Sequence, residues 1–345
     1  MKISFTKNMK VFIVAELSGN HNGSLEIAIE TIRAAKRAGA DAIKLQTYTA
    51  DTITINSKRN EFKIQQGTVW DGKYLYDLYK EAYTPWEWHD QLFKVAKEEG
   101  LICFSTPFDK TSVDFLEDLD TPIYKIASME ITDIPLIEYV ASKGKPIIIS
   151  TGIADKQDIE LAIDACKRNG NDQIILLKCT SSYPAPIEEA NIMMIKDLSE
   201  RFGVISGLSD HTLGIVTPIV ATAFGAKIIE KHFILNHSVG GPDASFSLDE
   251  MDFAEMVKAI RLAEKAIGEL NYDLTEKMKI GREFCRSLYV VEDIKKGDVA
   301  TEENIRSIRP GYGLHPKFFH ELLGRVSIKE LKAGEPVKFE YFKNI

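Results

Sequence analysis

Eight short apolar runs, most closing on polar residues, recur through the first two thirds of the chain. They are VFIVAE at 11–16, DAIKLQ at 41–46, LICFSTPF at 101–108, PIYKIAS at 122–128, PIIISTG at 146–152 and QIILLKCTSSYP at 173–184, then shorter runs at 204–205 and 227–229. Short and rich in β-branched residues, they read as buried strands. Segments with apolar residues at helical spacing lie between them, at 25–38, 111–119, 135–142, 156–168 and 216–225, and a last helix covers 248–267. A strand–turn–helix unit repeated at intervals of roughly 20–30 residues predicts an α/β protein built as a (β/α)8 barrel. The competing open, doubly wound sheet lacks its usual marks. No GxGxxG turn follows the first strand, and no GxxxxGK[ST] occurs anywhere.

Two stretches break the repeat. Residues 47–85 separate the second strand from its helix and carry Tyr48, Trp70, Tyr74, Tyr76, Tyr79 and Tyr83. An insertion of that length is functional or partner-facing, or else an excursion whose aromatics pack on the barrel flank. After Gly268 the pattern changes to a polar linker at 269–285. Short strand-like runs at 286–345 follow, punctuated by KKGD and KAGEP turns. The expected organisation is a barrel over 1–268, the linker, and a small β-rich domain over 286–345. A domain so small is marginal alone and should dock on its own barrel or a neighbour's.

Hydrophobic residues make up 44% and charged residues 27% of the chain, as in an ordinary soluble protein. The net charge of −8 argues against a nucleic-acid or membrane-surface binder. An anionic substrate would therefore need a local cluster of cations. Cys103, Cys166, Cys179 and Cys285 show no CxxC spacing and are expected to be buried, reduced thiols of a cytosolic protein. The N-terminal MKISFTKNMKVFIVAE suggests neither signal peptide nor membrane span, which points to a cytoplasmic location.

In parallel α/β folds the side chains just past the strand C-termini face the site. Ser209-Asp210-His211 and Glu230-Lys231-His232 read as matching polar turns after the seventh and eighth strands. The two imidazoles either satisfy structural roles separately or meet on one metal ion, and their matched positions favour the metal. Lys44 and Lys125 stand inside otherwise apolar strands, where a lysine is costly unless paired. They form either a site for a compact dianion such as a phosphate ester or two structural lysine–carboxylate pairs. A Schiff-base lysine is a further role, disfavoured because a metal Lewis acid makes an imine unnecessary. Glu16, at the end of the first strand, is an acid, a base or a partner for Lys44.

The segments VAELSGNHNGSLE, AGADAIKLQTY, FSTPFD, YKIAS, ISTG, KCTSSYP, GLSDHTLG, IEKHF and GGPD, in this order, resemble the sialic acid synthase family. The tail, SLYVVEDIKKGD through IRPGYG, is similar to that family's antifreeze-like (SAF) domain. The resemblance implies a metal-dependent condensation of phosphoenolpyruvate with an amino sugar, run with C–O cleavage in a homodimer whose small domains cap the partner's barrel. It implies that His211 and His232 bind Mn²⁺, with Mg²⁺ or Co²⁺ as alternatives. Lys44, Thr106, Lys125, Ser128, Ser150 and Ser209 would hold phosphoenolpyruvate. Gln46, Tyr183 and Asp243 would contact the sugar, Arg309 would reach it from the other subunit, and Glu16 would stand beside the metal. Ser181 in CTSSY and Asn236-His237 depart from the N-acetylneuraminate branch, which tends to Asn and Asp-Arg there. Ser181 thereby becomes a candidate for sugar choice. LYDLYKEAYTPWEWH and ASFSLD resemble the branch that makes pseudaminic acid, with 2,4-diacetamido-2,4,6-trideoxy-L-altrose as acceptor. N-acetylneuraminate and legionaminate synthesis are the alternatives, and a non-catalytic carbohydrate-binding barrel is the remote one.

Overall fold

The computed structural model describes residues 5–343 apart from 66, 68 and 69. It divides into two compact units, Met1–Gly268 and Glu269–Ile345. In the first, eight parallel strands close a barrel in sequence order, β8 pairing back onto β1. The strands are β1 (Phe12–Glu16), β2 (Ala42–Thr47), β3 (Ile102–Pro107), β4 (Tyr124–Ile126), β5 (Ile147–Ser150), β6 (Ile174–Cys179), β7 (Ile205–Asp210) and β8 (Ile228–His232).

Alternation along each strand explains why their runs look apolar throughout. One row packs outward on the helices: Ile13, Ala15, Ile43, Leu45, Leu208 and Ile229 belong to one large cluster with helix residues. The other row forms a separate cluster of Phe12, Val14, Ala42, Phe104, Ile148, Ile175, Leu177 and Ile228, which fills the barrel's lower interior. Followed upward by two residues, that inner row turns polar: Val14 leads to Glu16, Ala42 to Lys44 and Ile228 to Glu230. The barrel needs a small residue at Gly207, because a Cβ there would collide with the Ile228 carbonyl and the Leu177 side chain.

The helices start where the sequence supplies caps. Asp109, Asp133, Asp155 and Asp249 each accept a backbone N–H in the first turn of the helices Lys110–Asp118, Ile134–Ala141, Lys156–Arg168 and Glu250–Ile267. Such caps contribute about 1 kcal/mol each. A helix at Met193–Phe202, before β7, was not anticipated.

Three expectations need correction. Ser209-Asp210 and Glu230-Lys231-His232 are not turns but the ends of β7 and β8. Their charges are tolerated in strands because each has a buried partner. Residues 47–85 are not a plain excursion with aromatics on the barrel flank. They fold into helices at Ala50–Ile53 and Leu75–Ala82 with a short turn at Asn60–Phe62, and Tyr48, Trp70 and Tyr79 line a cavity. Cys285 is exposed, because it follows the polar helix Glu276–Arg282 rather than lying in an apolar run; the other three cysteines are buried.

The second unit has its own core of Leu288, Val290, Ile294, Ile305, Leu322, Leu331 and Val337. Antiparallel β9 (Ser287–Val290) and β10 (Ile305–Ile308) form one ribbon; β11 (Val326–Ser327) and β12 (Phe342–Lys343) form another.

Candidate active site

Strand register assembles the site. Glu16 is the Cα partner of Lys44 on one side and of His232 on the other, and Ser209 is that of Glu230. The inner-row side chains therefore meet at the upper end of the barrel. Lys44 Nζ contacts Glu16 Oε2 at 2.5 Å, donates to Thr106 Oγ1 at 3.1 Å and lies 3.6 Å from Glu230 Oε1. Lys125 Nζ lies 3.7 Å from the same Glu230 oxygen, and Ser209 Oγ donates to it at 3.3 Å. All four charged groups are almost wholly buried. Burial opposes charge on each. For Glu230 the two lysines outweigh burial and hold its carboxyl below the usual range. For Glu16 burial, reinforced by Glu230, outweighs Lys44 and raises the carboxyl. The lysines differ likewise: Glu16 and Glu230 raise Lys44, whereas burial and Lys44 lower Lys125. Of the two sequence readings of the lysines, the structure shows the pairing. They are paired with carboxylates, two lysines against Glu16 and Glu230, so the formal charges of the buried cluster balance.

The outer row explains the middle residue of each polar triplet. Lys231 Nζ contacts Asp210 Oδ2 at 2.5 Å and the Thr212 carbonyl at 2.6 Å, fully buried between β7 and β8. Asp210 and Lys231 therefore hold the strand ends together, while Ser209, His211, Glu230 and His232 turn inward.

The two imidazoles come together, with ring centroids 5.2 Å apart. His211 Nδ1 donates to the Thr180 carbonyl at 3.0 Å, which leaves Nε2 as the free lone pair of the neutral ring. His232 Nδ1 is buried without a hydrogen-bond partner, and burial followed by His211 holds that ring neutral well below the usual imidazole value. Two adjacent imidazoles, one oriented by a carbonyl and one with an unmet nitrogen, fit a divalent cation. Among the described residues no group of three His, Cys, Asp or Glu side chains forms a ready cage. Further ligands would come from substrate or water.

Above them lies a cavity of about 390 Å³ lined by Gln46, Ser128, Ser181, Tyr183, His232 and Asp243, among others. Tyr183 packs on His211 at 4.4 Å between centroids, and Phe246 on His232 at 5.0 Å. Gln46 donates to Glu16 at 3.1 Å and to Ser18 at 3.0 Å, and Ser18 donates to Asp243. Ser128 accepts from the Gly152 N–H at 3.0 Å, and the buried Ser150 hydroxyl has no partner among the described residues. No side chain fits at Gly152, since a Cβ would run into Ser181 and Ser128. Thr106 and Ser209 sit in the lysine–glutamate cluster, and neither they nor Ser150 lines the cavity. Arg309 lies in the second unit, exposed beyond the end of β10.

Three residues escaped the sequence reading. Glu230 bridges the two lysines; its signal was its place two residues before His232 on the same inner row. Glu130 lines the cavity in the short turn Ser128–Glu130, with one buried oxygen unpartnered. Burial pushes its carboxyl up to about 7, against the pull of Lys125. Ser18, at φ 48° after β1, links Gln46 to Asp243.

A parallel eight-stranded barrel carrying paired histidines, buried lysines and a hydroxyl-rich mouth defines an α/β-barrel enzyme acting on an anionic substrate. The chain belongs to the NeuB family, whose model matches residues 31–272, and an SAF domain matches 286–342. It is 49% identical over 335 residues to a pseudaminic acid synthase of Campylobacter jejuni, covering 97% of each chain. Identity to a pseudaminic acid synthase of Helicobacter pylori is 50% over 326 residues, covering 94% of this chain and 96% of that one. Among solved structures, an N-acetylneuraminic acid synthetase of Leptospira borgpetersenii in complex with citrate superposes with a TM-score of 0.71 at 31% identity, over 79% of this chain and 90% of that one.

Proposed function

We propose that this chain condenses phosphoenolpyruvate with 2,4-diacetamido-2,4,6-trideoxy-L-altrose and water to give pseudaminic acid and phosphate. The observation that carries the reading is identity near one half, along almost the whole of both chains, to two pseudaminic acid synthases, against 31% to the neuraminic acid synthetase.

The residues support the chemistry. Lys44 and Lys125 hold the phosphate and carboxylate of phosphoenolpyruvate, with Thr106, Ser128, Ser150 and Ser209 completing their hydrogen bonds. A divalent cation on His211 and His232, Mn²⁺ with Mg²⁺ or Co²⁺ as alternatives, supplies Lewis-acid polarisation of the acceptor's aldehyde when bound. C3 of phosphoenolpyruvate bonds to the aldehyde carbon, water adds at C2, and phosphate leaves by C–O cleavage. Glu130, half-protonated near neutrality, is placed to take the proton of that water or to return one to the new hydroxyl. Glu16, tied to Lys44 and Gln46, positions rather than transfers. Gln46, Tyr183 and Asp243 orient the sugar.

Arg309 completes the site from a second copy, and the active form is a homodimer with exchanged caps. Among the described residues no helix is long and apolar enough to cross a membrane; the location this reading assigns is the cytoplasm. The test supplies each candidate sugar with phosphoenolpyruvate and Mn²⁺ and identifies the nonulosonate by mass and NMR. Equal or better turnover of N-acetylmannosamine would overturn the acceptor.

A further inference from the structure

The cavity has two kinds of lining. Ser18, Gln46, Glu130 and Asp243 present oxygen and nitrogen, whereas the inserted segment contributes a mostly apolar corner. Its centre is Tyr48, only 3% exposed, just past the end of β2. The Tyr48 ring meets Phe108 and Tyr79 edge-on, at 5.1 and 5.7 Å between centroids, and Leu78 lines the cavity beside them. The backbone is pinned because Trp86 Nε1 donates to the Tyr48 carbonyl at 3.2 Å. Yet the Tyr48 hydroxyl has no hydrogen-bond partner among the described residues. The residue is buried but its hydroxyl is not among the fully buried unpartnered atoms, so it opens on the cavity that Tyr48 lines. Here a mostly apolar corner offers an unused phenol donor, and the hydroxyl of the less buried Tyr79 beside it is likewise unpartnered among the described residues.

That combination suits an acetamido group, which carries a methyl and a strong carbonyl acceptor on one plane. A hydroxyl substituent would leave the apolar rings uncovered. We propose that this corner binds the acceptor's 4-acetamido group, its carbonyl accepting from Tyr48 and its methyl resting on Tyr79 and Phe108. The inference rests on the acceptor proposed above. The position follows from the two aromatic groups of the cavity. Tyr183 and Phe246 pack on the histidines and so surround the aldehyde end of the sugar. The ring contacts of Tyr48 are with Tyr79 and Phe108 instead, so its corner meets a substituent farther along the sugar. Tyr48 is thus a specificity-determining residue that the reaction itself does not use.

The experiment compares the diacetamido sugar with its analogue bearing a hydroxyl in place of the 4-acetamido group, using wild-type enzyme and a Tyr48→Phe variant, which keeps the ring packing. The wild type should prefer the diacetamido sugar in kcat/KM. Tyr48→Phe should lower kcat/KM for that sugar about 3- to 10-fold and leave the analogue and the KM for phosphoenolpyruvate within about twofold. Tyr79→Ser should narrow the preference as well. Equal losses on both sugars, or an unchanged preference in both variants, would overturn the assignment of the corner. A wild type that ignores the diacetamido sugar but condenses N-acetylmannosamine would instead overturn the acceptor, and this inference with it.

Discussion

Lys125 Nζ and Glu230 Oε1 stand 3.7 Å apart inside the barrel, both cut off from solvent. The same glutamate oxygen reaches Lys44 at 3.6 Å, so one carboxylate bridges two lysines. With Glu16 on Lys44, the formal charges of the cluster balance.

Glu230→Gln should destabilise the barrel by about 3–5 kcal/mol, because it leaves a buried lysine uncompensated. Thermal unfolding measures it. Adding Lys125→Met to Glu230→Gln should restore much of the stability while the KM for phosphoenolpyruvate stays raised. A single variant that unfolds at the wild-type temperature would refute the bridging role.

Glu130 sets a pH dependence. Its carboxyl is raised in the folded chain from 4.5 to about 7 by burial, so the native state binds the proton more tightly than the unfolded state. Its contribution to stability is therefore full below pH 4.5 and is lost as pH rises to about 7. Glu130→Gln should flatten that decline in denaturant unfolding across the window and remove a limb near neutrality from the kcat/KM profile. Identical profiles for variant and wild type would sink both.

Mn²⁺ should raise the melting temperature of chelator-stripped protein, by an amount equivalent to about 2.7 kcal/mol at a hundredfold excess over Kd. His232→Ala should abolish the shift, since it removes the imidazole with the unmet nitrogen. Full activity after complete metal removal would contradict the role assigned to both histidines.

Exchanged caps predict complementation. Subunits carrying Arg309→Ala and subunits carrying His211→Ala should each be inactive, and mixed dimers should regain some activity because certain sites hold both native residues. Mixed dimers that form without any recovery would mean that the site is completed within one chain.

The barrel was legible because eight runs of β-branched residues can bury their backbone only as neighbouring parallel strands. The helix at Lys156–Arg168 was predicted to the residue, its start fixed by the Asp155 cap. His211, His232, Lys44 and Lys125 stood out because charged or ligating side chains are anomalous in such runs. Glu230 and Glu130 did not, since each stands at a strand end or in the turn after one, where a glutamate is ordinarily solvated. The helix Met193–Phe202 was missed because the polar residues around it hide a stripe in which only Ile195 and Leu198 are buried.

What the sequence determined by itself was periodicity: where the barrel's strands and most of its helices fall, and which charges sit where burial penalises them. Only the tertiary structure decided the partners. Whether Lys44 faces Thr106 or solvent, whether Lys231 belongs to the site or to Asp210, and whether the aromatics of 47–85 cover the flank or line the cavity depend on register between strands far apart in the chain. The period along a strand is local, because the covalent backbone sets it. The pairing of charges is not, because it exists only once closure of the barrel has brought the inner rows within a few ångströms of one another in a medium without water to compete.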